Sequence, residues 1–221
     1  NLITYSEDFS NASWVKVNSS ITANATTSPD GTTNADSLNS TSTTEAIYQI
    51  SASGTISFSV YAKAGTTTSL QLASSTSFNG RAADFNLSNG TASAVYQLGT
   101  GNADINGGTS SIVDVGNGWY RCIISGLVLT ASRALTIANN NGNLSYIWGA
   151  QNEASTYPTS YIISNSGTST TRIADAASKT GISSLIGQTE GTMFCDFVWN
   201  GVSSVVTDSS VFSLGNQEYG N

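Results

Sequence analysis

The sequence predicts an all-β protein, an antiparallel two-sheet sandwich, on three observations. Short segments in which apolar and polar residues alternate recur along the chain, Asn-Gly steps stand between several of them, and no amphipathic helix longer than about two turns is found. Alternation at period two marks a strand with one buried face, because successive side chains point to opposite sides of the pleat. Composition agrees. Only 10% of the 221 residues are charged, against roughly a quarter in ordinary domains. Ser, Thr, Asn and Gly fill the space, and Pro occurs twice. A disordered chain carries more charge, more Pro and fewer aromatics. A chain this long can bury a core without metals or disulfide staples.

The elements follow in chain order. Ala46–Ile50 is a short strand signal. Thr55–Lys63, TISFSVYAK, is the clearest: Ile56, Phe58, Val60 and Ala62 fall on one face, and Ser57, Ser59, Tyr61 and Lys63 on the other. Weaker runs are Ser69–Ala73, Ala83–Leu87, Ser93–Leu98 and Ser111–Val115. In Trp119–Leu129 the charged Arg121 is expected to face outward with Trp119 and Ile123, leaving Tyr120, Cys122 and Ile124 for the core. Ala134–Ala138 and Leu144–Ala150 complete the set. In the last, period alone does not decide whether Tyr146 and Trp148 or Ser145 and Ile147 are buried. Turns are expected at the Asn-Gly steps beginning at Asn79, Asn89, Asn106, Asn117 and Asn141, since both residues tolerate positive φ. The central strands are expected to be Thr55–Lys63 and Trp119–Ser125. Trp14 is expected to cover an end of the sandwich.

Three segments carry a resemblance: NLITYSEDFSNASW at 1–14, VGNGWYRC at 115–122, and SYIWGAQNEASTYPTSYIISNSGTSTTRIAD at 145–175. Together and in this order they resemble a module of phage tail and other virion proteins, usually placed ahead of a laminin-G or concanavalin A-like domain. That module is similar to a jelly-roll carbohydrate-binding domain. The resemblance implies a jelly-roll sandwich over residues 1–155 and a connector over 156–180, pinned by Tyr157, Tyr161 and Ile162. It also implies the start of a second β region over 181–221, where EGTMF at 190–194 fits a first strand. That last segment is too short to close a sandwich, so it is expected either to be incomplete or to dock on the first domain or a neighbouring subunit. The resemblance further implies a virion, extracellular setting and partners among bacterial surface polysaccharide and other virion proteins. A homo-oligomer, commonly a trimer for attachment proteins, goes with it.

Charge and missing residues narrow the chemistry. The net charge of −7 disfavours nucleic acid, whose phosphates attract basic surfaces. No transmembrane run or signal-peptide pattern is found, so no membrane insertion is expected, and any upstream region is expected to have been removed or to lie elsewhere in a longer polypeptide. There is no His, which excludes Ser-His-Asp, Cys-His and histidine–metal arrangements. No nucleophile-elbow, phosphate-loop or dinucleotide motif appears. A glycosidase needs only two carboxylates about 5–10 Å apart, but the acidic residues mostly stand singly in turn-like sequence, so the chain reads as non-catalytic. Cys122 and Cys195 each sit in an apolar run and are expected to be buried free thiols.

Aromatic residues are the better lead, because sugar rings stack on exposed Trp and Tyr faces. The outward faces of the two central strands bring Tyr61, Lys63, Trp119 and Arg121 together as the candidate glycan surface, with the cations favouring acidic sugars. The competing expectation is that Trp119 simply packs at a sandwich edge. Related jelly-roll modules hold a structural Ca²⁺ between the N-terminal and last strands. The resemblance therefore implies oxygen ligands from Asp8 or its neighbour Glu7, Asp36 and Glu153, although Trp148 and Gly149 stand where such modules have acidic residues. The expected function is a non-catalytic virion attachment module for bacterial glycans. The rivals are a secreted bacterial carbohydrate-binding module attached to a polysaccharide-degrading enzyme, and a ligand-free structural or capsid-decoration domain.

Overall fold

The computed structural model describes residues 1–40, 46–139 and 143–172. The described residues contain thirteen strands and no helix. In chain order these are β1 (Val15–Val17), β2 (Ser19–Thr26), β3 (Ala35–Ser40), β4 (Ala46–Ser51), β5 (Gly54–Ala64), β6 (Ser69–Thr76) and β7 (Asn79–Asn86). They continue with β8 (Thr91–Ala92), β9 (Tyr96–Leu98), β10 (Ile105–Gly116), β11 (Trp119–Leu129), β12 (Arg133–Ala138) and β13 (Leu144–Glu153). One sheet has six strands in the order β10-β11-β5-β13-β3-β2. The other has seven, β1-β4-β12-β6-β7-β8, with β9 also paired to β7. All pairings are antiparallel.

The order β3-β13-β5-β11 facing β4-β12-β6-β7 is that of a jelly roll. The chain crosses between sheets from β3 to β4, β4 to β5 and β5 to β6, and again from β11 to β12 and β12 to β13. The expected fold class is thus what the described residues form. Residues 173–221, including Cys195 and the expected second β region, lie outside the described residues, as does the expected turn at Asn141.

The core lies between the sheets. Ile56, Phe58, Val60 and Ala62 are at most 2% exposed, as the alternation of β5 requires, and Cys122 and Ile124 join them from β11. Burying a side chain such as Phe58 is worth about 1.5–3 kcal/mol. Trp14 is buried beside Phe9, ring centroids 4.9 Å apart, and its Nε1 donates to Tyr5 O at 3.0 Å. Cys122 is a free thiol, and burial pushes its pKa up and keeps it inert.

Several turns depart from the expected places. Asn117-Gly118 does join β10 to β11 as a two-residue turn with both φ positive (54° and 76°). Asn79-Gly80 does not turn. The hairpin closes one step earlier, through Ser77 and Phe78 (φ 47° and 60°), and Asn79 already pairs with Thr76. Asn106-Gly107 lies inside β10, paired with Val128 and Leu127, so it marks an irregular stretch of strand rather than a connection.

The alternation left open in β13 is settled by a bulge. The register against β5 slips between Trp148 and Gln151, and Gly149 takes φ 62°. Ile147 and Ala150 therefore both face the core, although they are an odd number of residues apart, and Tyr146 and Trp148 face outward.

Candidate functional site

The outer face of the six-stranded sheet carries the residues singled out from sequence. Trp119 pairs with Lys63, and Arg121 with Tyr61, across the β11–β5 ladder, so the four do share the face opposite the core. That face is covered. Trp119 is 1% exposed and donates from Nε1 to Thr27 O at 3.1 Å. It forms a second apolar cluster with Ala35 and Trp148, against which Tyr61, Tyr146 and Tyr161 pack. Tyr61 meets Trp148 and Tyr161 edge-on, with ring centroids 5.3 and 5.9 Å away, and the Arg121 guanidinium lies 5.6 Å from its ring. Arg121 also donates to Ser59 Oγ at 3.0 Å and to Thr159 O at 2.7 Å. A buried indole offers no stacking face to a sugar, so Trp119 packs structurally. Period-two reasoning placed the face but could not see the segment lying over it.

That segment, residues 154–172, is held by the N-terminal loop. The Asn1 side chain donates to Ala150 O (3.0 Å) and Ile162 O (2.8 Å), and its Oδ1 accepts from Ile3 N (3.0 Å) and Asn152 N (3.1 Å). Ser6 N donates to Ser164 O, and Ser164 N to Ser6 Oγ. Ser6 Oγ lies 2.7 Å from the Tyr161 hydroxyl, which donates to Glu7 Oε1 at 3.0 Å. Burial is the chief reason the Tyr161 phenol titrates far above its ordinary range. Gln151 Oε1 accepts from Ile162 N at 2.7 Å. The segments carrying the resemblance therefore meet in one network that ties both ends of the domain to β13.

Gly149 is part of that lock. A Cβ on it would stand 3.0 Å from Tyr61 Cδ2 and 3.3 Å from Tyr161 Cε2 and Cζ. Gly149 is thus a seat for two tyrosine rings.

The structure sets Asp8 near Asp36, whose pKa its charge helps to raise, but does not bring the implied calcium ligands together as a set. Asp36 pairs with Ile147 and faces inward, 1% exposed, accepting from Phe9 N and Asn24 N at 2.9 Å each. Burial is the main cause of its raised pKa. Glu153 lies six residues beyond Ile147, about 20 Å along the strand, on the outer face. Its carboxylate accepts from Thr159 N and Oγ1 and from Gln151 Nε2. Asp8 Oδ1 closes a turn by accepting from Ser10 N and Asn11 N. Glu7 accepts from Tyr161, Asn34 and Asn165. Among the described residues no three acidic or thiol side chains form a group able to hold a metal.

The open surface is on the other sheet. A groove of about 410 Å³ crosses the outer faces of β1, β4, β12 and β6. The ladders place Val15, Tyr48, Thr136 and Ala73 in one row, and Ile50, Ala134 and Ser75 in the next. Small residues form the floor. Tyr48 and Ile50 stand on one side, and Phe78 rises from the β6–β7 turn on the other. Ile50 is 64% exposed and Phe78 38%. Arg133 closes one end, paired with Asp104.

A bulky non-Gly residue at positive φ costs about 1–2 kcal/mol, so Phe78 is held as a groove wall at a cost in backbone energy. Strain of this kind collects at functional sites. The sequence concealed this site because the more apolar alternate set of AIYQIS, Ala46, Tyr48 and Ile50, reads as the core face, whereas the structure turns Ile47 and Gln49 inward and leaves Ile50 64% exposed. No protein-family model and no curated protein matches this chain.

Proposed function

We propose that the chain is a non-catalytic attachment and presentation module of a virion, of tail or fibre type, that binds bacterial surface glycan in the groove of the seven-stranded sheet. The observation that carries the binding reading is the groove itself: apolar and aromatic walls of Tyr48, Ile50 and Phe78 over a floor of Thr136, Ser75 and Ala134. Exposed aromatic rings offer sugar its C–H stacking surface, and the Thr and Ser hydroxyls and Arg133 at the end supply polar contacts. Such an open groove suits an extended polysaccharide better than a small ligand, which prefers an enclosed pocket. Binding is weak per copy, and multivalency on a particle, in a trimer or larger assembly with other virion proteins, raises avidity by orders of magnitude. The setting rests on the resemblance of residues 1–14, 115–122 and 145–175.

The experiment is binding of the chain to polysaccharide from candidate host cells. Tyr48→Ala and Phe78→Ala are expected to weaken it about tenfold or more, and Tyr61→Ala to act on stability. Full binding by both groove variants overturns the reading. One observation favours a second reading, a ligand-free spacer: the residues of the resembling segments, Asn1, Ser6, Gln151 and Tyr161, are all engaged in holding the domain together. A spacer binds no polysaccharide at all.

A further inference from the structure

On the inner face of the seven-stranded sheet the core, which still includes Leu135 beside Ser74, gives way to polar residues toward β7 and β9. Leu72 of β6 pairs with Ala83 of β7, and both are buried in the core. The next row, two residues on, is Ser74, Arg81 and Gln97, in register across β6, β7 and β9. All three side chains have unused hydrogen-bonding capacity. Ser74 Oγ is buried with no partner. Among the described residues neither the Arg81 guanidinium nor the Gln97 amide has a hydrogen-bond or ion-pair partner. Lys16, Arg121, Arg133 and Arg172, by contrast, are all hydrogen-bonded.

Arg81 lines a pocket of about 270 Å³ at this end of the sandwich, with Gln97, Thr100, Asn102, Ile105 and Asn106 around it. No carboxylate lines it. The nearest in sequence, Asp104, is held by Arg133. In a chain of net charge −7 this is a local positive site walled by neutral amides. Asn102 uses only its Oδ1, toward Asp104 N, and Asn106 only its Nδ2, toward Ala103 O. A donor and an acceptor therefore stay free beside the guanidinium.

We propose that this end pocket binds the carboxylate of an acidic sugar unit, with Arg81 as its charged ligand and Gln97, Asn102 and Asn106 on the neighbouring hydroxyls. A guanidinium meets a carboxylate through two parallel hydrogen bonds, and amides both donate to and accept from sugar hydroxyls. The pocket falls just below the roughly 300–1,000 Å³ of ordinary ligand sites, which suits a single unit of a chain. The inference rests on the glycan-binding reading but concerns a different pocket from the Tyr48 groove.

The test is side-chain NMR of the full chain titrated with digalacturonate, its methyl ester and inorganic phosphate. Digalacturonate is expected to shift the Arg81 Nε and Gln97 amide signals, and the ester and phosphate to bind at least tenfold more weakly. Arg81→Gln is expected to lose at least tenfold in digalacturonate affinity with an unchanged melting temperature, because Arg81 holds no protein partner. Gln97→Leu, which keeps the guanidinium, is expected to weaken acid and ester alike. Equal binding of ester or phosphate, an unaffected Arg81→Gln variant, or no shift at Arg81 overturns the proposal. Neutral oligosaccharide at Tyr48 is followed separately. Its failure to bind, with digalacturonate still held at Arg81, removes the groove reading and leaves this one standing.

Discussion

Gly149→Ala is expected to destabilise the domain by about 2–5 kcal/mol, because two costs fall on one methyl group. The first is conformational. Gly149 has φ 62°, and an L-residue there costs about 1–2 kcal/mol. The second is steric. The new Cβ lies 3.0 Å from Tyr61 Cδ2 and 3.3 Å from two atoms of Tyr161. Neither ring is free to retreat, since Tyr61 is packed against Trp148 and Tyr161 is bonded to Ser6 and Glu7. Overpacking of this kind costs about 1–3 kcal/mol. In a domain of this size each kcal/mol moves the melting temperature by roughly 2–4 °C, so a midpoint loss of about 4–20 °C is expected. Urea unfolding followed by tryptophan fluorescence reads the change, with Trp148 as a local reporter. The Tyr61→Leu background relieves one contact and is expected to reduce the cost of Gly149→Ala by about 0.5 kcal/mol or more, a coupling expected only between residues in contact. A loss under about 0.5 kcal/mol, or additive effects of the two changes, refutes the claim that Gly149 seats the connector.

Further outcomes follow from other buried groups. Asp36→Ala leaves the N–H groups of Phe9 and Asn24 without their acceptor and is expected to cost about 2–4 kcal/mol by denaturant unfolding. The Asp36 carboxyl has a raised pKa, chiefly from burial. Its contribution to stability is therefore complete below the ordinary carboxylate value of 3.8 and is lost as pH rises through the raised one; Asp36→Asn is expected to abolish that slope. Burial, helped by the hydrogen bond to Asp84, pushes the Tyr96 phenol from 10.0 to about 12. The same sign applies: stability present below pH 10.0 falls as pH rises toward about 12, and Tyr96→Phe is expected to flatten the fall. Phe58→Asp, placing an unpaired charge at a site 1% exposed, is expected to prevent folding, seen as loss of near-ultraviolet circular dichroism.

Legibility in the sequence tracked how far each element obeys a local rule. β5 and β11 read correctly because one face is apolar and the other is marked by Lys63 or Arg121. Asn117-Gly118 read correctly because it is a two-residue hairpin with nothing else nearby. β3 was not expected as a strand, since ADSLNS buries Ser37 and Ser40 as well as Leu38, and polar residues buried by tertiary pairing leave no periodic trace. The Ser77-Phe78 turn was hidden by the stronger Asn-Gly signal one step later. The bulge at Gly149 defeated alternation in β13 by shifting the phase within the strand. The site was least legible. Trp119 and Tyr61 stand on the face assigned to them, but what covers that face comes from residues far away in sequence, Thr27 and the stretch around Tyr161. Strand periodicity reports which side a residue faces and says nothing of what lies on that side.

Backbone amide NMR of the full chain, titrated with polysaccharide from a candidate host, tests the central claim most directly. Glycan binding in the groove predicts saturable shifts clustered on Tyr48, Ile50, Phe78, Ala134 and Thr136, with Tyr61, Trp119 and Trp148 unmoved. Shifts centred instead on the Tyr61 and Trp119 face, or no shifts with any host polysaccharide, contradict it.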